Sequence, residues 1–343
     1  MEQLSTRALN RALLARQMLL QRATFSVVDA VTHLGGLQAQ QARPPFTGLW
    51  SRLEAFKKQD LLDLLRSRQV LRATTLRGTL HLITLQDFQA WRPLLQPMLT
   101  AGAQSILRER LQTFDHAAVL AHATKVFTVK PHTFTELRNK LVAAFPGVDE
   151  RAMGYFVRTH LPLASVPDEK APWCFGSDAE FDLMAGGTAG TPVALITRYL
   201  TAFGPASIAD FQSWSGLKSV KPWFEGMPLS TFQDARKRVL YDLPEAPRPD
   251  PETPAPVRFI AEFDNLVLGH ADRSRIVADE HRPRIVTKNL LVLGTFLVDG
   301  FVAGTWKHDG KNVQIEPFET LPGKAMKLVD AEANQLAQFL CSG

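Results

Sequence analysis

Cysteine is almost missing from this 343-residue chain: Cys174 and Cys341 are the only two, far apart. That excludes a disulfide scaffold and a cysteine-built zinc site, and it suits a reducing cytoplasm, the expected location. No uncharged apolar run of about 18 residues exists, so no membrane span is expected. The nearest approach, Asn289 to Trp306, is broken by Asp299 and three glycines and reads as strands. Also absent are a P-loop, a dinucleotide-binding glycine fingerprint and a helical HExxH motif. The nine histidines have no metal-ligand spacing, and His116 and His122, six apart, do not share a helical face. Ser213-Trp214-Ser215-Gly216 lacks the glycine a nucleophile elbow needs two residues before its serine. Asp149-Glu150 and Asp279-Glu280 read as ordinary surface charge. No metal and no cofactor is expected.

What is present is ordinary for a globular protein: 45% hydrophobic and 21% charged residues, in a length that suits two or three domains. The net charge of +5 hides an asymmetry. Residues 1–110 hold 15 Lys/Arg against 7 Asp/Glu, a net of +8, whereas residues 111–343 hold 24 against 27, a net of −3. A localised, mostly arginine excess suits a polyanion such as nucleic acid; the alternative is a solvated basic face with no partner.

The pattern of elements suggests repetition. The arginine-rich N-terminus reads as a structural helix capped by Ser5-Thr6, because Glu2 and the lack of a following serine-rich stretch argue against a presequence, and Arg7, Arg11 and Arg16 interrupt any signal-peptide core. A helix after Ser26 runs into Gly35-Gly36. A polar turn to Pro44-Pro45 follows, then a short helix over Gly48 to Leu53, an amphipathic helix over Asp60 to Arg68, and two threonine-rich strands folding about Arg77-Gly78. Helices followed by a small hairpin make a winged helix. The plan recurs with helices over Thr133 to Ala144 and Asp149 to His160 and a strand-and-turn segment from Leu161 to Phe175. It recurs again with helices over Val193 to Phe203 and Ile208 to Ser215. The expected division is 1–110, 111–190 and 191–243 for three winged-helix units, a proline-rich linker at 244–256, and a β-rich domain at 257–343. That last domain should hold a buried strand over Leu290 to Val298, a hairpin about Lys307 to Lys311, and a final helix from Asp330 to Phe339. The fold class is α+β.

One polar constellation stands out. Gln38 and Gln40 are one residue apart, so in an extended segment their amides point the same way and can hold a water; the alternative is a solvent-exposed glutamine loop. Gly36-Leu37-Gln38-Ala39-Gln40 with Arg43-Pro44-Pro45-Phe46-Thr47-Gly48-Leu49-Trp50 resembles the winged-helix DNA glycosylases of the AlkZ/YcaQ type, in the Gln–aliphatic–Gln form. Arg77-Gly78-Thr79-Leu80-His81, Asp264 to Arg273, and Phe296 to Trp306 are similar to the same family, so the resemblance spans nearly the whole chain.

The resemblance implies tandem winged helices with a concave DNA-binding face and a monofunctional DNA glycosylase. Its substrate would be duplex DNA carrying N7-alkylated, bulky or crosslinked purines, in repair or self-resistance to genotoxins. Gln38 and Gln40 fall at the family's catalytic positions, and Lys307 and Lys311 on its DNA-approaching hairpin. Arg43, Arg72 and Arg77, in the basic first unit, are the phosphate-contact candidates. His81 either touches DNA or is a strand histidine bonded to backbone. His270 and Arg273 either contact phosphate or hold the C-terminal domain in place. No protein partner is evident and a monomer is expected. Two other classes compete: a non-enzymatic winged-helix regulator, expected to bind as a symmetric dimer, and a drug-sequestering protein, which needs a large apolar pocket.

Overall fold

Helix starts follow the side-chain chemistry of the sequence. In the computed structural model, which describes residues 1–342, the Ser5 hydroxyl accepts from the Ala8 amide at the head of Thr6–Arg16. Ser26 does the same for Val27–His33. Thr133 with Glu136, and Ser207 with Asp210, form reciprocal capping boxes on Phe134–Ala144 and Ile208–Ser215. A cap of this kind contributes about 1 kcal/mol.

The first unit is built as expected. Helices Val27–His33, Pro44–Arg52 and Lys58–Arg66 precede strands Val70–Thr74 and Leu80–Thr84, joined through a turn in which Arg77 takes φ 55°. Two helices go beyond the expectation, Leu85–Leu107 and His116–Val129. The former contains Pro93 and Pro97, which obscure a helix in the sequence. Its stripe of Phe88, Trp91, Leu95 and Leu99 is buried, and that packing outweighs the local cost of proline. The last helix, Gly323–Cys341, is longer than expected. The run expected as a buried strand from Leu290 becomes a strand only over Gly294–Val298, because Leu290 and Leu291 are exposed.

Sheet pairing crosses the boundaries drawn at 110 and 190. The hairpin of the first unit sits in a five-stranded antiparallel sheet, in the order Leu37–Gln38, Leu80–Thr84, Val70–Thr74, Leu163–Ser165, Phe181–Leu183. Glu2–Gln3 runs parallel to Ser230–Gln233, which pairs with Val239–Asp242. The C-terminal sheet is an antiparallel meander of Arg258–Ile260, Gly294–Val298, Phe301–His308 and Val313–Pro317.

The cores cross the same boundaries. Leu13, Trp91, Tyr199, Phe203 and Trp214 bury against Ile260 and Leu297. Leu37, Phe46 and Leu49 bury against Phe259, Phe296 and Trp306. Residues 244–256 contain neither helix nor strand, but they are strapped to the first helix: Arg11 Nε donates to Thr253 O at 2.6 Å and Arg16 Nη2 to Pro247 O at 3.1 Å. No helix among the described residues is long and apolar enough to cross a membrane.

The basic excess of the first 110 residues is largely spent inside the molecule. Nine of its fifteen cations reach carboxylates beyond residue 110: Arg7 and Arg11 to Asp299, Arg16 to Asp242, Arg22 to Glu332, Arg43 to Glu262, Arg52 to Asp264, and Arg66, Arg68 and Arg110 to Glu169, Asp182 and Asp149. The charge asymmetry is thus in large part the complementarity by which the N-terminal segment binds the rest of the chain.

Candidate active site

The segment bearing the two glutamines is shaped by its ends. Gly36, at φ 92°, lies so close to the hairpin that a Cβ there would meet Leu82 O at 2.9 Å, so only glycine lets the chain turn onto the sheet. Leu37 and Gln38 then pair with Leu82 and His81, and the Ala39 amide donates to Leu80 O at 2.7 Å. Pro44 and Pro45 start the next helix, where the missing N–H costs nothing.

Gln38 is 8% exposed, whereas Gln40 is exposed. The Gln38 Oε1 accepts from Arg77 Nη2 at 2.8 Å, and the same nitrogen donates to Asn265 Oδ1 at 2.8 Å. A guanidinium only donates, so both amide oxygens must face it, and the NH2 ends of Gln38 and Asn265 face away. The Gln40 Oε1 accepts from the Leu80 amide at 3.3 Å. Both glutamines therefore turn their oxygens to the protein and keep NH2 groups free.

They do not share one pocket. Gln38 lines a cavity with about 10 Å3 of room for a water centre, together with Arg52, Glu262, Asp264 and Asn265. Gln40 lines an open cleft of about 480 Å3 with Arg72, Arg158, Phe134, Phe175 and Phe181. The expectation of two amides converging on one water gives way to two adjoining sites, one per glutamine.

The expected DNA-contacting residues separate into buried and exposed sets. Arg72 is buried: its Nε donates to Ala39 O at 2.9 Å, its Nη2 to Gln40 O at 3.2 Å, and its guanidinium covers the Phe175 ring. Burial, with Arg158 nearby, pushes its pKa down to about 10. It clamps the glutamine strand. Arg77 is the hub between Gln38, Asn265 and Trp214 O, and burial beside Arg273 pushes it down to about 10 as well. Arg43 is partly exposed and ion-paired with Glu262. Arg273 is half-buried. Lys307 and Lys311 are exposed at the end of the hairpin formed by Phe301–His308 and Val313–Pro317.

The two histidines offer nothing to a duplex in this structure, which corrects the expectation of DNA contact. His81 is wholly buried; its Nδ1 donates to Thr79 O at 3.1 Å, leaving Nε2 as an acceptor toward Arg77 at 3.4 Å. His270 is 2% exposed and its Nε2 donates to Phe203 O at 2.9 Å. Burial first, then Arg77 and Arg275 respectively, pushes each imidazole down to about 3.

Both rings therefore stay neutral in the fold while the unfolded chain takes up protons below about pH 6.5. The unfolded state gains protons that the native state does not, so stability falls as pH drops from 6.5 toward 3. Between pH 7 and 5.5 the two histidines together are expected to cost on the order of 2–3 kcal/mol. Urea unfolding across that range measures it, and His81→Asn with His270→Asn should flatten the slope.

Sequence reasoning missed Glu262, Asp264 and Asn265 as neighbours of Gln38. The signal was present in the stretch from Asp264 to Arg273, whose opening residues turn out to face the glutamine.

The "Interstrand DNA cross-link repair glycosylase" of Streptomyces sahachiroi is 25% identical, over 94% of this chain and 93% of that protein. The solved structure of Streptomyces sahachiroi DNA glycosylase AlkZ superposes with a TM-score of 0.81 at 22% identity, covering 98% of this chain and 97% of that one. The class is a DNA glycosylase, a hydrolase of N-glycosidic bonds. The chain belongs to the AlkZ-like DNA glycosylase family, whose model matches residues 31–339.

Proposed function

We propose that this protein releases N7-alkylated purines, including bulky and crosslinking adducts, from duplex DNA, with Gln38 and Gln40 at the reacting nucleotide. The observation that carries this reading is the pair of free amide NH2 groups, one at the water-sized cavity and one at the open cleft.

An amide has no useful basicity at neutral pH, so neither glutamine is a general base. An N7-alkylated guanine needs little help to leave, because it is already cationic and departs neutral. What remains is orientation, which is worth several kcal/mol when the reacting groups are fixed. The NH2 groups suit purine acceptors such as O6 and N3, or a water oxygen. The cleft at Gln40, with two arginines and three phenylalanines, suits an extruded base with its substituent and the adjoining phosphate. A relative named for crosslink repair favours bulky lesions as substrates. The three winged-helix units and the C-terminal hairpin are read as the DNA-facing surface, engaged by a single copy of the chain.

The deciding experiment is incubation of the purified protein with duplexes carrying N7-methylguanine, a bulky N7 adduct or an N7–N7 crosslink. Free modified base is the expected product. Tight binding without release would point to a regulator or a sequestering protein.

Lys307 and Lys311 test the DNA-facing surface. Each lysine that meets a phosphate releases about one counterion, so Lys307→Ala and Lys311→Ala should each reduce the slope of log affinity against log salt by about 0.9. Binding titrations between 50 and 200 mM salt, roughly the range in which such contacts dominate, measure the change. An unaltered slope in both variants would remove the hairpin from the interface.

A further inference from the structure

The cavity beside Gln38 lacks a proton acceptor in the two-glutamine scheme. Arg77 holds the Gln38 and Asn265 oxygens, which leaves only donors facing the cavity from both amides. Both Asp264 oxygens are committed, Oδ1 to Arg52 Nη2 and the Leu266 amide, and Oδ2 to Arg52 Nη1. Glu262 differs. Its Oε1 takes Arg43, while its Oε2 is buried with no hydrogen-bond partner. Asn265, 5% exposed, has its Nδ2 buried and equally unpartnered. An orphaned acceptor and an orphaned donor thus line a space that fits one water, and a buried water needs two or more such partners.

We propose that Glu262 is the proton acceptor of the reaction and that, with Asn265, it holds the attacking water next to Gln38. The inference rests on the glycosylase reading above. The water accepts a hydrogen bond from Asn265 Nδ2 and donates one to Glu262 Oε2, which leaves a lone pair for the sugar. As the C1′–N9 bond breaks, its electron pair passes to the cationic purine, which leaves neutral. The water oxygen bonds to C1′, and its proton passes to the Glu262 carboxylate. Arg43, bound to the other carboxylate oxygen, orients the group. The Arg52–Asp264 pair lines the cavity, the Arg77 guanidinium holds the Gln38 and Asn265 oxygens, and the His308 imidazole on the C-terminal sheet interacts electrostatically with Arg43 and Glu262.

The test is single-turnover release of 7-methylguanine by the full chain at saturating enzyme, for wild type, Glu262→Gln, Glu262→Asp and Asn265→Ala. Glu262→Gln should be about 100-fold slower, the low end for loss of a general base, because the leaving group is already activated. Its duplex affinity should stay within about twofold of wild type, a change too small to register as a lost contact. Glu262→Asp, which keeps the carboxylate, should recover part of the rate.

A Glu262→Gln rate near wild type, or a slower rate that Glu262→Asp does not raise above it, would overturn the assignment; the second result would mark Glu262 as structural. A high-resolution crystal structure supplies an independent measurement. An ordered water within hydrogen-bonding distance of both Glu262 Oε2 and Asn265 Nδ2 is expected, and a cavity whose density touches neither atom sinks the proposal. A wild-type protein that releases no base at all refutes the glycosylase reading, and the catalytic role of Glu262 falls with it.

Discussion

Gln38→Ala is expected to slow release of an N7-alkylated purine by about 100- to 1,000-fold, the range seen when one preorganised hydrogen-bond donor is removed from an active site. The size follows from how firmly this amide is held. Gln38 is buried, its oxygen is fixed by a guanidinium that itself holds Asn265 and Trp214, and its strand is pinned to the hairpin at Leu82 and His81. A group held this firmly need not be ordered when the reaction occurs, so its removal falls almost wholly on the rate. Gln40→Ala should cost much less, about fivefold, because one hydrogen bond from an exposed side chain is worth about 1 kcal/mol. Folding should suffer little in either variant, since Arg77 keeps Asn265 and Trp214 when Gln38 is truncated. Single-turnover kinetics on an N7-methylguanine duplex, with thermal melting as a control, separate the outcomes. Equal and negligible losses at both positions would remove the glutamines from the chemistry.

The two glutamines and the elements around them were legible because their signals are local. A glycine pair, a short apolar–polar alternation and a proline pair define the bounds of the Gln38–Gln40 strand, and each is a backbone preference readable within a few residues. The Ser5 cap and the helix start after Ser26 belong to the same class. What the sequence hid is long-range. Glu262 lies 224 positions from Gln38 in the chain, yet both line one cavity. No periodicity carries that information. Charge misled in a similar way. Arginine excess in the first 110 residues reads as a surface for a polyanion, but most of those side chains find carboxylates from later segments. Arg72, a buried clamp, and Arg77, a half-buried one, were the best phosphate candidates from composition, yet they hold backbone and amide oxygens. Pairing partners decide what an arginine does, and pairing is a property of the fold.

Asp264→Ala is expected to cost about 3–5 kcal/mol of folding stability, the penalty for leaving a buried cation without its partner. Asp264 and Arg52 are both essentially inaccessible to water, and they meet in a two-pronged pair at 2.8 and 2.9 Å. Asp264 also accepts from the Leu266 amide at 2.8 Å, so its loss uncaps the turn that presents Asn265. The effect reaches beyond local packing, because the pair joins the helix after the glutamine strand to the segment that follows the first C-terminal strand. Arg16–Asp242 and Arg11–Asp299 tie the first helix to equally distant segments, and Asn10 Nδ2 donates to both Arg275 O and Gly300 O. With the cores shared across the same boundaries, the first unit and the C-terminal sheet cannot separate without exposing both. They should therefore unfold together, and Asp264→Ala should shift one shared transition to lower denaturant without splitting it. Urea unfolding read by tryptophan fluorescence and by circular dichroism tests this, since coincident curves are required in both proteins. A variant whose C-terminal sheet melts first, with the N-terminal helices left at their wild-type midpoint, would show that the ion pair does not couple the two halves. The same coupling explains how the cavity beside Gln38 is assembled from residues as distant as Arg52, Glu262 and Asn265. The walls come from distant parts of the chain, and buried ion pairs set their spacing.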